Sequence, residues 1–228
     1  DYTATYDDLA IQRSSYDKCV EYIESEMLLA AKDLPLTRAI NQVARPTRGA
    51  ALAARARALL YSASPINNPR PGDADKFSDM VDYDGNCLMS QEYNEYKWAK
   101  AAAAARDVME LPGENSGHRY ELYHKKATNI AEPGYPATIA PYQDDDFSTK
   151  TWDEGGYSDI DPYESYRAVF NGALAMYQNP ELIFSRGRNQ GGNSLVEMVK
   201  LQMPRTLGNG SNAYGMTLKM CDAYYMYD

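Results

Sequence analysis

The residues best able to make specific contacts cluster between Gly134 and Tyr163, where Tyr135, Tyr142, Phe147, Trp152, Tyr157 and Tyr163 alternate with Asp144, Asp145, Asp146, Asp153, Glu154, Asp159 and Asp161. An aromatic face stacks on the C–H groups of a pyranose while neighbouring polar groups bond its hydroxyls, so this mixture suits a carbohydrate ligand. Trp152 leads the set because Thr151, Asp153, Glu154, Gly155 and Gly156 around it do not belong in a helical core. Tyr157 and Tyr142 follow, and Tyr163 and Asp153 complete the expected ligand-binding residues. For any one of them, pinning the loop to its scaffold is an equally good reading. Carboxylates beside aromatics also describe a glycosidase, with Asp153, Glu154, Asp159 and Glu164 as its acids. Nothing selects a pair, and an acidic, glycine-containing loop offers no apolar pocket to raise one acid's pKa. No nucleotide loop, nucleophile elbow or metal motif is present. The expectation is binding without catalysis.

Other reactive residues are sparse. With only His118 and His124, a histidine triad or zinc centre has little material. Cys19, Cys87 and Cys221 are far apart and form no CxxC pair, so Cys19 and Cys221 are expected as small core residues. No cofactor is expected. A structural calcium has two weak candidates, Asp82 with Asp84 and Asn86, and the run Asp144 to Asp146. In the first, glycine comes too early and Tyr93 stands where the closing Glu of a helix-loop-helix site belongs. The second reads as a solvated charged loop. A net charge of −9, from 32 acidic and 23 basic residues, argues against nucleic acid or anionic lipid as partner. No run of about 18 apolar residues occurs that could span a membrane.

These residues need a frame, and the sequence writes a mainly α one. In Arg45 to Pro65, Leu52, Ala56, Leu59, Leu60 and Ala63 recur at three- and four-residue spacing, and alanine lets helix axes approach closely. Pro46 and Thr47 start this helix as a first-turn proline and a cap, and Pro65 ends it. An earlier helix spans about Ser15 to Leu34, with Cys19, Val20, Ile23, Met27, Ala30 and Leu34 on one face. A third runs from about Gln91 to Leu111 and buries Trp98, Ala101, Ala102, Ala105, Val108 and Met109. A fourth opens at Asp161 and Pro162 and carries Tyr166, Val169, Phe170, Leu174 and Tyr177; a fifth covers about Met216 to Tyr227, with contacts from Met220, Cys221, Tyr224 and Tyr225. Among 20 tyrosines, Tyr16, Tyr22, Tyr61, Tyr166, Tyr177 and Tyr224 sit at helical spacing and are read as packing residues. Arg55 and Arg57 are expected to pair with acids of adjacent helices. The segments 66–90, 113–160 and 185–214 lack periodicity, and loops of that length are commonly functional. One domain over 1–228 is expected, with a helical scaffold at about 15–111 and a loop-rich binding region at about 113–215.

Several blocks, in order, resemble the SusD/RagB family of glycan-binding outer-membrane lipoproteins of Bacteroidetes. They are Tyr16 to Pro35, Arg45 to Tyr61 with Ala63-Ser64-Pro65, Lys97 to Met109, Tyr120 to Tyr123, Asn179 to Phe184, and Leu218 to Tyr225. The resemblance implies a tetratricopeptide-like helical scaffold with long irregular loops, and non-catalytic capture of oligosaccharide or polysaccharide. It further implies delivery to a SusC-like TonB-dependent transporter at the outer membrane, and membrane attachment only through a lipid anchor outside this sequence, which would be the central portion of a longer protein. Helices paired through long loops bury their stripes only by stacking on neighbours, which agrees with such a frame. A protein-interaction scaffold of tetratricopeptide type is the alternative, and a glycoside hydrolase a more distant one.

Overall fold

The computed structural model describes residues 11–73, 77–114, 117–127, 150–185, 201, 203–206, 210–215 and 217–223. Two compact units divide the chain, Asp1–Phe184 and Ser185–Asp228. The first holds helices α1 (Tyr16–Asp33), α2 (Arg48–Ala63), α3 (Tyr96–Met109) and α4 (Pro162–Phe170), with 3-10 turns at Ile40–Gln42 and Trp152–Glu154. The second holds α5 (Leu218–Ala223). Among the described residues there is no strand, only isolated bridges such as Val81 with Cys87. The protein is mainly α, as its periodicity implies. No helix of the described residues is long and apolar enough to cross a membrane.

Local signals set most boundaries. The Ser15 side chain accepts from the Lys18 amide, and Thr47 accepts from Ala50, capping α1 and α2. Pro46 precedes the cap of α2 and does not occupy its first turn. Helix α3 starts five residues later than its apolar pattern because the preceding segment is held elsewhere. Asn68, almost wholly buried, accepts from the Asn94 amide at 2.7 Å and donates to the Asn94 carbonyl at 3.0 Å. Asp161 caps α4 with Pro162 following, as expected, but the helix stops at Phe170 well short of Tyr177. Gly172 takes φ +80°, and Asn171 accepts from the Ala173 amide, so the chain turns away there. Of the fifth expected helix, Met216, Tyr224 and Tyr225 lie outside the described residues.

Helix α2 packs against both α1 and α3. Val20, Leu59, Ala63, Ala101 and Ala104 form one core cluster; Ala31, Ala51, Leu52, Val108 and Leu111 form another. Ala63 and Ala104 have no exposed surface, which is the close helix approach that alanine permits. Gly49 extends this logic: a Cβ there would overlap the Tyr120 ring, whose Cε2 and Cζ would lie 2.7 Å away. Arg48 fixes the α1–α2 turn, its amide donating to the Pro35 carbonyl and its Nε to the Ala31 carbonyl, each at 2.9 Å.

Most of the expected contact residues are inside, with Val20, Leu52, Leu59, Ala63, Ala101 and Val108 buried and Met27, Ala30, Leu34 and Ala56 packed against them, but parts of each apolar stripe face outward. Cys19 and Ile23 of α1 are exposed, as are Leu60 of α2 and Trp98, Ala102, Ala105 and Met109 of α3. Charged residues take their places in the seam. Glu24 Oε1 lies 3.0 Å from Arg55 Nη2, its Oε2 lies 2.7 Å from Lys100 Nζ, and Arg55 Nη1 reaches Asp107 at 2.6 Å. Lys97 meets Asp17 at 2.7 Å. Turning α3 so that Lys97 and Lys100 reach α1 carries Trp98 to the outside. Arg55 thus pairs with acids of adjacent helices as expected, whereas Arg57 is exposed. Tyr16 is half-buried and its hydroxyl accepts from Asn67, but Tyr22, Tyr61, Tyr166 and Tyr177 are exposed and do not form the seams. Tyr224 lies outside the described residues. Cys221 is exposed, so neither it nor Cys19 is a core residue.

Burial alone would raise the Glu24 pKa, but the hydrogen bonds and charges of Lys100 and Arg55 outweigh it and hold the carboxyl below its ordinary value. A depressed acid stabilises the fold above its unfolded pKa, and that contribution is lost as the pH falls through the folded value. Glu24→Gln is therefore expected to lower stability at pH 7 by about 1–3 kcal/mol, since it removes the charged acceptor of Lys100 and one of the two acids that hold Arg55. Thermal denaturation should show this deficit shrinking as the pH drops below about 4.5. Equal melting of variant and wild type at pH 7 would contradict it.

Candidate functional site

Trp152 sits at the start of a tightly tied turn. Glu154 accepts at Oε2 from the Thr151 amide at 3.0 Å and from the Thr151 hydroxyl at 2.9 Å. Gly155, at φ +87°, donates to the Trp152 carbonyl, and Gly156 donates to the Thr151 carbonyl. Gly156 is buried, and a Cβ on it would run into the Lys150 backbone. The two glycines are thus needed by the turn, one for its positive φ and one for its close approach.

A second segment holds this turn in place. Asp159 Oδ1 accepts from the Trp152 amide at 2.7 Å. The Ala127 amide donates to the Asp159 carbonyl and the Asp161 amide to the Lys125 carbonyl, both at 2.8 Å, flanking the Lys126–Ile160 bridge. Lys126 Nζ lies 3.3 Å from both Asp153 and Asp159. Ser165, buried in α4, accepts from the Lys125 amide, so the assembly rests on that helix. The His124 ring stacks on Trp152, with centroids 4.6 Å apart and planes at 23°.

Of the expected ligand residues, the structure brings Trp152 and Asp153 onto one turn and places Tyr157 in the same loop. Trp152 and Tyr157 are half-buried; Asp153 is exposed. Tyr163 is exposed in the first turn of α4, with the Arg167 guanidinium 5.9 Å from its ring centre. Tyr142 lies outside the described residues, as do Tyr135, Asp144, Asp145, Asp146 and Phe147. Sequence reasoning missed His124 and Lys126. Both are distant in sequence from the turn, and nothing local to His124 marks it as a stacking partner.

The electrostatics favour fixed charges. Asp159 is held below its ordinary pKa first by the Trp152 amide and further by Lys126. Glu154 is held low by the Thr151 backbone and hydroxyl. Lys126 is raised by hydrogen bonds to Asp153 and Asp159. Both shifted acids move away from the raised pKa that a general acid at neutral pH requires.

The Asp82 carboxylate accepts from the Asp84 and Asn86 amides and from the Asn86 side chain, so it closes its own turn. Among the described residues no group of His, Cys, Asp or Glu is arranged to hold a metal. Separately, Leu60, Tyr61, Trp98, Ala101, Ala102 and Ala105 line an apolar groove between α2 and α3, with Arg57 at its edge.

No family model matches the chain, and no curated protein does. A solved structure titled BT4246 is similar, with 35% identity over 50% of this chain and 19% of that one, at a TM-score of 0.39. This chain thus spans well under two thirds of that structure's length.

Asp159→Asn should loosen the turn, because it removes a charged acceptor from both the Trp152 amide and Lys126. In a Trp98→Phe background, Trp152 emission should shift to the red and become more accessible to acrylamide, with the helical circular dichroism retained. Since the Asp159 pKa is depressed, the contact persists above the ordinary Asp range and is lost as pH falls through the folded value. The parent should therefore acquire the same red shift only below pH 3.8. An unchanged Trp152 spectrum in the variant would count against this role for Asp159.

Proposed function

We propose that the protein captures oligosaccharide or polysaccharide without cleaving it, as a SusD/RagB-like binding protein that hands glycan to a TonB-dependent transporter at the outer-membrane surface. A lipid anchor outside this sequence would hold it there. The single observation that carries the reading is the Trp152 turn. A partly exposed indole is stacked on His124, the Trp152 amide is tied to the Asp159 carboxylate, and an exposed Asp153 carboxylate in the same turn lies 3.3 Å from Lys126. Such a platform meets a sugar with an apolar face and hydroxyl acceptors already in position, which limits the ordering entropy of binding. The ordered sequence blocks supply the transporter and the location.

The apolar groove favours a second reading. Trp98, Ala102, Ala105 and Met109 recur at four-, three- and four-residue spacing along exposed α3, the pattern that receives a helix. A tetratricopeptide-type interaction scaffold would use this face.

Affinity electrophoresis against a polysaccharide panel separates the two. Trp152→Ala should weaken glycan binding at least about tenfold, or about 1.4 kcal/mol, while Trp98→Ala leaves it unchanged. Glycan binding lost in Trp98→Ala and kept in Trp152→Ala would reverse the assignment, and release of sugar products from the panel would support a hydrolase.

A further inference from the structure

A separate hollow lies where the end of α2 meets the start of α3, and none of its lining belongs to the Trp152 turn. Tyr93 and Trp98, both exposed, line it together with Pro65 and Pro71, and its volume is about 350 Å³. Small ligands commonly occupy clefts of about 300–1,000 Å³. The lining is tied in place by the backbone around it. Asn68, 1% exposed, holds both the amide and the carbonyl of Asn94, next to Tyr93. The Asn67 and Asn68 amides donate to the Ser64 carbonyl, each at 2.9 Å. Lys97, next to Trp98, donates to the Asn67 carbonyl at 3.1 Å and pairs with Asp17. Rings carried on a backbone fixed in this way need little further ordering when a ligand arrives.

Arg70 is the one charged side chain that lines this hollow, and no acid lines it. The Arg70 side chain is exposed and has no ion pair or hydrogen bond among the described residues. Elsewhere in the same unit Arg55, Lys97, Lys100 and Lys126 each meet a carboxylate. An unpaired guanidinium beside exposed rings calls for a ligand with two features. A carboxylate takes the paired, charge-assisted hydrogen bonds of the guanidinium. A flat apolar body stacks on indole or phenol. An inorganic anion would leave the rings unused, and a neutral aromatic would leave Arg70 unused. A uronate brings the same anion, but its hydroxyls need several polar partners, and Asn68 is already committed to Asn94.

We infer that this hollow binds a small aromatic carboxylate, with the ring on Trp98 or Tyr93 and the carboxylate on Arg70. The site does not rest on the glycan-binding reading and stands or falls apart from it.

The test is isothermal titration of the full chain with para-hydroxycinnamate, its primary amide and galacturonate. The acid should bind at one site with a Kd of about 1 mM or lower. Arg70→Gln should weaken it at least about tenfold, and the amide should bind the parent correspondingly weakly. Arg57→Gln, in the neighbouring apolar groove, should bind as the parent does. Trp98→Ala should also weaken binding, and in a Trp152→Phe background the acid should quench the remaining Trp98 emission to saturation. Retained helical circular dichroism in each variant shows that the loss is one of contact. Equal binding of acid and amide, unchanged affinity in Arg70→Gln, tighter binding of galacturonate than of the aromatic acid, or no binding of the acid would each overturn the inference.

Discussion

The carboxylate of Glu24 is the point on which the helical frame turns. It lies in the seam where α1 meets α2 and α3, bonded to Arg55 from one helix and Lys100 from the other, and Arg55 continues to Asp107. Buried ion pairs seldom add much net stability over apolar packing, but removing one partner is costly because the other is left dry and unpaired. Their stronger effect is on rotation. An alanine-rich helix such as α3 could bury several neighbouring stripes with little difference in apolar area. Only one of them lets Lys97 and Lys100 meet Asp17 and Glu24. That choice buries Ala101, Ala104 and Val108 and turns Trp98 outward.

The frame matters for the site through a short chain of connections. Leu111 belongs to the same core cluster as Leu52 and Val108, and Tyr120, beyond it, closes over Gly49. From Tyr120 the chain runs to His124, Lys125 and Lys126, which receive the 150–161 turn and α4. The Trp152 platform is therefore mounted on a segment that leaves the helical core only a few residues earlier. Its own stiffness comes from bonds to the Glu154 and Asp159 carboxylates, from backbone hydrogen bonds and from two glycines.

Much of this was legible in the sequence because it is written in local chemistry. Ser15, Thr47 and Asp161 are caps that function over three residues, and Pro35 and Pro65 are stops that act on their own backbone. The loop placement of Trp152 followed from its immediate neighbours in the same way. What could not be read required partners distant along the chain. The late start of α3 depends on Asn68 holding Asn94, 26 residues away. The rotation of the helices depends on Glu24 meeting Lys100, 76 residues away. A hydrophobicity pattern places Trp98 and Cys19 inside because it has no account of the ion pairs that displace them. His124 is the same case at the site, since its stacking on Trp152 has no local signature.

The central claim is that carbohydrate is held at the Trp152 turn while the helical frame only supports it. Amide hydrogen exchange with and without a saturating neutral polysaccharide tests this most directly. The account predicts added protection across 150–161 and 124–127, with exchange along α3 unchanged. Protection confined to α3 and its groove, with the Trp152 turn exchanging as before, would contradict it.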